Sequence, residues 1–254
     1  MLASLLARSL ALRDAIDPHA RVAVLPNNTI GEPNLAFSRD EQRQLTRGSL
    51  APYRHRLETL VGEADGSVYG FGPSQGAAIM GDYAARPDTR IQALSVLEAP
   101  NVVDRSLLAV GQAFGRDGSH FTEVFQANTD DEPTEAVNRH IQNATGSRGM
   151  ARFGVGLLDQ TNIQTFRHLS RNTLGDHIAG ALEKNVGVHH AWARKGKTSP
   201  HEANQEVARR FADNPLYGST VFESWTADHS ISNAYLVCIA GMREAVARRV
   251  NAES

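Results

Sequence analysis

The sequence predicts an α/β fold built on a parallel, doubly wound sheet, and two observations support this prediction. Short apolar or β-branched runs alternate with helix-like segments along most of the 254 residues, an order typical of parallel strands joined by right-handed helical crossovers. The run at 91–97 is apolar nearly throughout, as expected where helices cover both faces of a sheet. The chain is long enough to bury a core within one large domain.

Five runs are predicted to be strands: 21–25, 67–71, 91–97, 186–192 and 220–225. The main helices are predicted at residues 2–16, 50–61, 77–85, 201–212 and 231–249. A mostly helical stretch with polar connections interrupts this rhythm between the third and fourth strands. The sequence therefore predicts a core of residues 1–103 and 185–254, with a helical cap insertion of residues 104–184.

Composition and charge exclude several classes of function. The net charge of -2 at pH 7 gives no electrostatic footprint for nucleic acid or an anionic membrane. No apolar run approaches the ~20 residues needed to cross a bilayer. Arg8 and Arg13 interrupt the leucine-rich N-terminus and no small-residue cleavage site follows, so an amphipathic helix is a better interpretation than a signal peptide. The single cysteine, Cys238, excludes an intramolecular disulfide.

The strongest local signal is the turn between the second predicted strand and the helix after it. Its residues, Gly72-Pro73-Ser74-Gln75-Gly76, match G-x-S-x-G in the strand-turn-helix context of a nucleophile elbow. Such a turn strains the serine backbone, so small residues are expected on either side. It also places the hydroxyl above the sheet, at a helix N-terminus that favours developing negative charge. The pattern predicts Ser74 as a nucleophile and the backbone N–H of Gln75 as an oxyanion donor.

Two other interpretations of this turn stay open. Ser74 could serve only as the N-cap of a helix that packs closely on the sheet. Alternatively, Gly70, Gly72 and Gly76, with Glu98 after the next strand, resemble the dinucleotide-binding fingerprint. The third glycine stands one residue late for that fingerprint and the turn lies in the middle of the chain. Both facts favour the nucleophile.

A serine hydroxyl needs a histidine base, which in turn needs a carboxylate to orient it. His229 follows the last predicted strand and directly precedes the final helix, the position expected for such a base. The alternative role for His229 is to cap that helix.

These features together resemble the α/β-hydrolase superfamily. The similarity runs from Leu2 to Arg249 and includes the turn at Ser74, the helical insertion and the late His229. The stretch from Ser74 to Pro100 is particularly similar to superfamily members that carry a cap domain. The resemblance implies hydrolysis of a small-molecule acyl substrate such as an ester.

The sequence departs from the superfamily pattern at the catalytic acid. The resemblance implies a carboxylate after the strand that follows the cap, but residues 195–200 contain none. Some members place the acid after the preceding strand, which makes Glu98 the candidate, with Asp104 behind it. The alternative role for Glu98 is a structural carboxylate that accepts hydrogen bonds from neighbouring backbone amides.

A second departure concerns the start of the chain. Superfamily members begin with strands that precede the first helix, and a loop after one of them supplies the second oxyanion donor. This sequence opens with the helix, and losing one oxyanion donor costs ~10²–10³ in turnover. We expect unpaired backbone at that side of the sheet, where another chain or residues 27–34 could cover it.

The histidines do not predict a metal site. His189 and His190 are adjacent on a predicted strand, so their side chains point to opposite faces and cannot bind one ion together. His168, His177 and His201 lack any ligand spacing. We predict no metal and no cofactor.

Two hypotheses follow from the sequence. In the first, the chain is a serine hydrolase in which Ser74 attacks, His229 transfers the proton, Glu98 orients His229 and Gln75 stabilises the oxyanion. In the second, it is an inactive hydrolase-fold protein that serves as a structural or binding subunit of a larger assembly such as a phage virion. Short chains of this kind look similar to ones encoded by actinobacteria and their phages. The expected location is the cytoplasm or a virion.

Overall fold

The computed structural model describes residues 13–14, 19–23, 25, 37–101, 174–223 and 235–252. Its strands are β1 (Val68–Pro73), β2 (Ile91–Leu97), β3 (Gly187–Ala193) and β4 (Tyr217–Phe222). Its helices are α1 (Arg39–Thr46), α2 (Ala51–Gly62), α3 (Gln75–Ala84), α4 (Leu174–Glu183), α5 (His201–Phe211) and α6 (Tyr235–Asn251). The described part of the chain therefore alternates strand and helix as the sequence predicts.

The four strands form one parallel sheet in the order β1-β2-β3-β4. The fold class predicted from the sequence is confirmed. Because every strand runs in the same direction, all four carboxyl ends lie at one edge of the sheet. We call this the carboxyl edge. Among the described strands β1 pairs with β2 alone, so the prediction that another segment or chain covers its other side stays a prediction.

Helices cover both faces of the sheet. On one face α6 packs across β2 and β3, and on the other α3, α4 and α5 pack against the strands. Successive residues of β3 point to opposite faces of the sheet. Gly187 and His189 lie against α6, and Val188 between them belongs to the main core with Leu94. β2 and β3 are buried almost throughout, which is why the sequence at 91–97 is apolar nearly throughout.

The end of the predicted cap insertion packs within this main core. Helix α4 contacts α3 and β3, and its buried Leu174, Ile178 and Leu182 belong to the same apolar cluster as the strands. Residues 104–173, the rest of the predicted insertion, lie outside the described residues. The boundaries of the cap therefore stay a prediction.

Helix α1 is an element that the sequence analysis did not assign. Ser38 and Glu41 form a capping box at its start: the Ser38 N–H donates to the Glu41 carboxylate at 2.7 Å, and the Glu41 N–H donates to the Ser38 hydroxyl at 3.3 Å. The sequence carries the signal for this cap, a serine followed three residues later by glutamate. Buried Leu45 anchors the helix in the core.

The prediction of a strand at residues 21–25 is wrong. The described residues of this stretch, 21–23 and 25, are not in a strand. A β-branched run favours extended backbone, but a strand also needs a hydrogen-bonded neighbour, and the four strands of the sheet pair with one another. Arg21 and Ala23 are exposed, and Leu25 packs against the core by its side chain.

Two helices end in a residue with positive φ. After α4, Asn185 has φ 58°, its N–H donates to the Leu182 carbonyl at 3.0 Å, and the Val186 N–H donates to the Ala181 carbonyl at 3.0 Å. This hydrogen-bond pair defines a Schellman motif, and asparagine is one of the few residues that tolerate its left-handed position. Gly48, with φ 87°, ends α1 in the same way.

None of the described helices has the length and apolar character needed to cross a membrane.

Candidate active site

Ser74 stands alone between β1 and α3. Its backbone angles are φ 53° and ψ -127°, a conformation that residues with a side chain rarely adopt. The Ser74 N–H donates to the Leu97 carbonyl at the end of β2 at 2.8 Å, and the Ser74 carbonyl accepts from the Ala77 N–H at 2.9 Å. These two bonds link the turn to the sheet on one side and to the helix on the other.

The glycines on either side of Ser74 differ in what they tolerate. A Cβ atom built on Gly72 would lie 2.3 Å from the Gly76 carbonyl oxygen, so a side chain at Gly72 would collide with backbone. A Cβ on Gly76 would meet only the Pro73 ring, at an ordinary 3.7 Å. The expectation that both flanking positions must be small therefore applies to Gly72 and not to Gly76.

The structure argues against the interpretation of Ser74 as a mere helix cap. Ser74 occupies the N-cap position of α3, but its side chain makes no capping hydrogen bond. N-cap residues normally sit in the β region of backbone space, whereas Ser74 has positive φ. A capping role would therefore account for neither its side chain nor its backbone.

Glu98 lies directly after β2 and is fully buried. It has positive φ, 52°, and its N–H donates to the Ala191 carbonyl of β3 at 2.9 Å. Its carboxylate accepts a short hydrogen bond from the Ala193 N–H at the end of β3. A Cβ atom on Gly196 would lie 3.1 Å from Oε2 of Glu98, so the loop after β3 closes tightly on the carboxylate.

These contacts give Glu98 a structural role, since it caps a backbone amide as the alternative interpretation expected. They also place its carboxylate against residues 194–200, the loop where the superfamily resemblance implies the acid. The two roles are compatible because a carboxylate has two oxygens and can accept several hydrogen bonds.

The dinucleotide interpretation finds no support in this geometry. A Cβ atom on Gly70 would lie 2.8 Å from Cε of Met80 and 3.2 Å from Cδ1 of Leu94, so this glycine is needed for close packing of α3 on the sheet. Glu98 is fully buried and bonded to backbone, whereas the acidic residue of that fingerprint must reach a ribose hydroxyl.

Ser74, Gln75 and Glu98 therefore lie at the ends of neighbouring strands on the carboxyl edge. His229 and Asp104 lie outside the described residues, so the predicted base and the second candidate acid stay predictions. β4 ends at the same edge at Phe222, seven positions before His229.

The adjacent histidines of β3 point to opposite faces, as predicted. His189 lies under α6, where its Nε2 is 3.0 Å from the Thr220 hydroxyl and burial lowers its pKa to about 4. His190 lies on the other face, bonded to Tyr217 and Asn204, and burial lowers its pKa to about 3. Within the part of the chain that the structure describes, no group of side chains is suited to hold a metal ion.

The sequence analysis did not anticipate a buried polar cluster behind Glu98. Tyr217, His190, Asn204 and Ser199 are linked by hydrogen bonds, and the Ser199 hydroxyl donates to the carbonyl of the residue after Glu98. The only local signal is an asparagine in the first turn of a strongly polar helix. Its burial depends on contacts between distant parts of the chain.

Comparison with family models and with curated proteins finds no match to this sequence. Among solved structures, a thermophilic esterase matches with a TM-score of 0.51 and 13% identity, over 79% of this chain and 74% of the esterase. A putative non-heme bromoperoxidase, BpoC, from Mycobacterium tuberculosis matches with a TM-score of 0.48 and 15% identity, over 88% of this chain and 80% of BpoC. A thioesterase domain from the curacin biosynthetic pathway matches with a TM-score of 0.48 and 12% identity, over 79% of this chain and 75% of that domain.

Similarity at this level of identity defines a fold and leaves the activity open. The chain has the α/β-hydrolase fold. Three findings show this: the parallel sheet, the helices on both its faces and the match to the thermophilic esterase.

Proposed function

We propose that this protein is a serine hydrolase that cleaves a small acyl substrate such as a carboxylic ester. The observation that carries the proposal is the backbone of Ser74, held at positive φ between the end of β1 and the N-terminus of α3. A non-glycine residue in such a conformation costs about 1–3 kcal/mol and persists where the surroundings enforce it, often at sites of function.

The neighbourhood of Ser74 suits nucleophilic attack on an acyl carbon. Ser74 is partly exposed at the carboxyl edge, directly before the first turn of α3. Backbone N–H groups in the first turn of a helix have no partner within the helix and carry partial positive charge. The Gln75 N–H belongs to this first turn, and it is the proposed donor that stabilises the oxyanion formed when Ser74 attacks.

Glu98 is the proposed acid of the triad. Its burial against the loop after β3 supports this role, because a carboxylate removed from water and fixed by backbone bonds can orient a histidine. Loop residues 194–200 contain no carboxylate of their own. Glu98 thus supplies, from the neighbouring strand, the group that this loop lacks.

His229 is the proposed base. Seven residues span at most about 25 Å when extended, so the chain leaving Phe222 at the carboxyl edge is long enough to bring His229 beside Ser74. In the proposed reaction His229 accepts the Ser74 proton as the hydroxyl oxygen bonds to the acyl carbon. His229 then protonates the leaving alkoxide, which leaves an acyl-enzyme on Ser74. A water molecule, deprotonated by His229, then attacks the acyl carbon; the bond to the Ser74 oxygen breaks, His229 returns the proton to that oxygen, and the acid is released.

A fluorophosphonate probe tests the proposal, since it reacts covalently with activated serines. We expect intact-protein mass spectrometry to show one adduct on the wild type and none on Ser74→Ala. Ser67→Ala, at an exposed serine before β1, is the matched control and should label like the wild type. Folded wild-type protein that stays unlabelled, or labelling that survives Ser74→Ala, would refute the proposal.

A positive result leads directly to a panel of p-nitrophenyl esters of increasing acyl length. We expect turnover that requires Ser74, His229 and Glu98. Loss of turnover in Ser74→Ala should be at least ~10³-fold, because a triad without its nucleophile retains only the contributions of binding and the oxyanion site.

A further inference from the structure

A continuous line of buried hydrogen bonds runs from β4 towards the candidate acid. It begins at the Tyr217 hydroxyl, which donates to Nδ1 of His190 at 3.0 Å. Nε2 of His190 lies 3.0 Å from Oδ1 of Asn204. Since that oxygen can only accept, His190 donates from Nε2, and in the neutral imidazole Nδ1 then carries no proton and accepts from Tyr217. The low pKa of His190, about 3, agrees with this neutral form.

The line continues from α5 into the loop after β3. The Asn204 amide nitrogen donates to the Ser199 hydroxyl at 2.9 Å and to the Pro200 carbonyl at 2.8 Å. The Ser199 hydroxyl then donates to the Ala99 carbonyl at 2.7 Å. His190, Asn204 and Ser199 are all fully buried, so water does not compete for these bonds.

The line ends at the residue after Glu98. The peptide before Glu98 is fixed by its bond to Ala191, and the carboxylate is fixed by Ala193. The Ser199 hydroxyl fixes the peptide that follows Ala99, through the Ala99 carbonyl. The three bonds together hold Glu98 at its positive φ, where a glutamate has no intrinsic preference to stay.

We propose that Ser199 and Asn204 are positioning residues that hold the carboxylate of Glu98 in place for the histidine base. This inference rests on the proposed function. If the Ser199 hydroxyl is lost, the Ala99 carbonyl has no bond from this loop and Glu98 is free to relax towards negative φ. Its carboxylate then shifts relative to the base, and a displacement of about 1 Å at a catalytic group can cost ~10² in rate.

The pH profile of kcat/KM separates a positioning role from a merely structural one. A well-placed carboxylate raises the pKa of the histidine that it orients, so a displaced one lowers it by roughly one unit. That pKa sets the acidic limb of the profile. A loss of overall stability does not move this limb. Lys195 and Lys197, the charged residues that flank Gly196 in the loop, are the same in every variant compared.

The decisive comparison is Ser199→Ala against Tyr217→Phe. Ser199→Ala removes the two bonds of its hydroxyl, from Asn204 and to Ala99, whereas Tyr217→Phe removes the bond to His190 at the end of the line remote from Glu98. With a short p-nitrophenyl ester, we expect Ser199→Ala to lower kcat by about 10–100-fold with KM within twofold, and to shift the acidic limb down by roughly one unit. Tyr217→Phe should leave that limb in place. Ser199→Cys, with a similar volume and a weaker donor, should fall between Ser199→Ala and the wild type.

The outcomes distinguish this inference from the proposed function. If the wild type is active and Glu98→Gln shifts the limb, but Ser199→Ala and Ser199→Cys do not, the positioning role is refuted and the proposed function stands. An equal shift in Tyr217→Phe and Ser199→Ala would also refute it, because the effect would then follow stability. A wild type without turnover would overturn the proposed function and this inference with it.

Discussion

Positive φ at a residue other than glycine occurs in two regions of the described structure, with different causes. At Asn185 the cause is local, because the chain turns left-handed where α4 ends and two hydrogen bonds between residues three and five positions apart close the motif. Ser74 and Glu98 instead follow directly after β1 and β2 at the carboxyl edge, and neither of them ends a helix. The same backbone angle therefore has a conventional explanation in one region and none in the other.

The strained residues of the carboxyl edge are held by bonds to distant parts of the chain. Ser74 is bonded to Leu97, and Glu98 to Ala191 and Ala193. Each residue carries a cost of about 1–3 kcal/mol that asparagine or glycine would largely avoid. The comparison teaches that strain unexplained by a helix end, and enforced by long-range bonds, marks the edge where chemistry is expected.

The largest effect on stability is expected from Gly72→Ala. Its new methyl group would lie 2.3 Å from a backbone oxygen that cannot move without breaking the turn. We expect a loss of roughly 4–5 kcal/mol in the free energy of unfolding, measured by urea titration. Gly76→Ala is the matched control and should be neutral or slightly stabilising, because its methyl group has room and alanine favours a helix. Similar losses in both variants would show that the turn is not closed where the structure closes it.

Lowering the pH is expected to reduce the free energy of unfolding through two buried histidines of β3. The pKa values of His189 and His190 in the folded protein, about 4 and about 3, lie below the ordinary 6.5. Between pH 6.5 and those values the unfolded chain binds protons that the folded protein does not. Their stabilising contribution is therefore complete above pH 6.5 and is lost as pH falls. From pH 7 to pH 5 we expect a loss of about 2 kcal/mol for each histidine.

Urea titrations at pH 7 and pH 5 measure this loss. His189→Gln removes one titrating group, so the change in the free energy of unfolding should fall by about half. A loss unaltered by this substitution would assign the pH dependence to groups other than the histidines of β3.

A smaller effect is expected at the helix end. Asn185→Ala places at φ 58° a residue that avoids this region, at a cost of about 1 kcal/mol in the free energy of unfolding. Turnover should be unchanged, since Asn185 lies at the end of α4, before β3 begins, and the carboxyl edge is at the other end of that strand. A fall in turnover without a fall in stability would remove the distinction between the two regions.

The sequence predicted the frame of this site because the frame depends on short-range patterns. The strand at 91–97 was predicted with its observed bounds from one apolar run, and the turn at Ser74 from five residues. The predicted strand at 220–225 begins three residues late because apolar runs define a strand better than they define its register. The strand predicted at 21–25 failed because β propensity cannot supply a pairing partner.

The support for Glu98 could not be predicted. The Ser199 hydroxyl and the Ala99 carbonyl are 100 positions apart in the chain, and Ala193 and Glu98 are 95 positions apart. The positive φ of Glu98 follows from these bonds and not from its own preference. A polar residue on a polar helix is expected from the sequence to be exposed to solvent, but Asn204 is fully buried in the fold.

The most direct test of the central claim is to measure stability and turnover together in Ser74→Gly. The account predicts that the free energy of unfolding rises by about 1 kcal/mol, because glycine adopts this backbone without strain, while ester hydrolysis falls by at least ~10³-fold. Asn185→Gly is the matched variant at the helix end, with turnover unchanged. A Ser74→Gly protein that hydrolyses esters like the wild type would contradict the account.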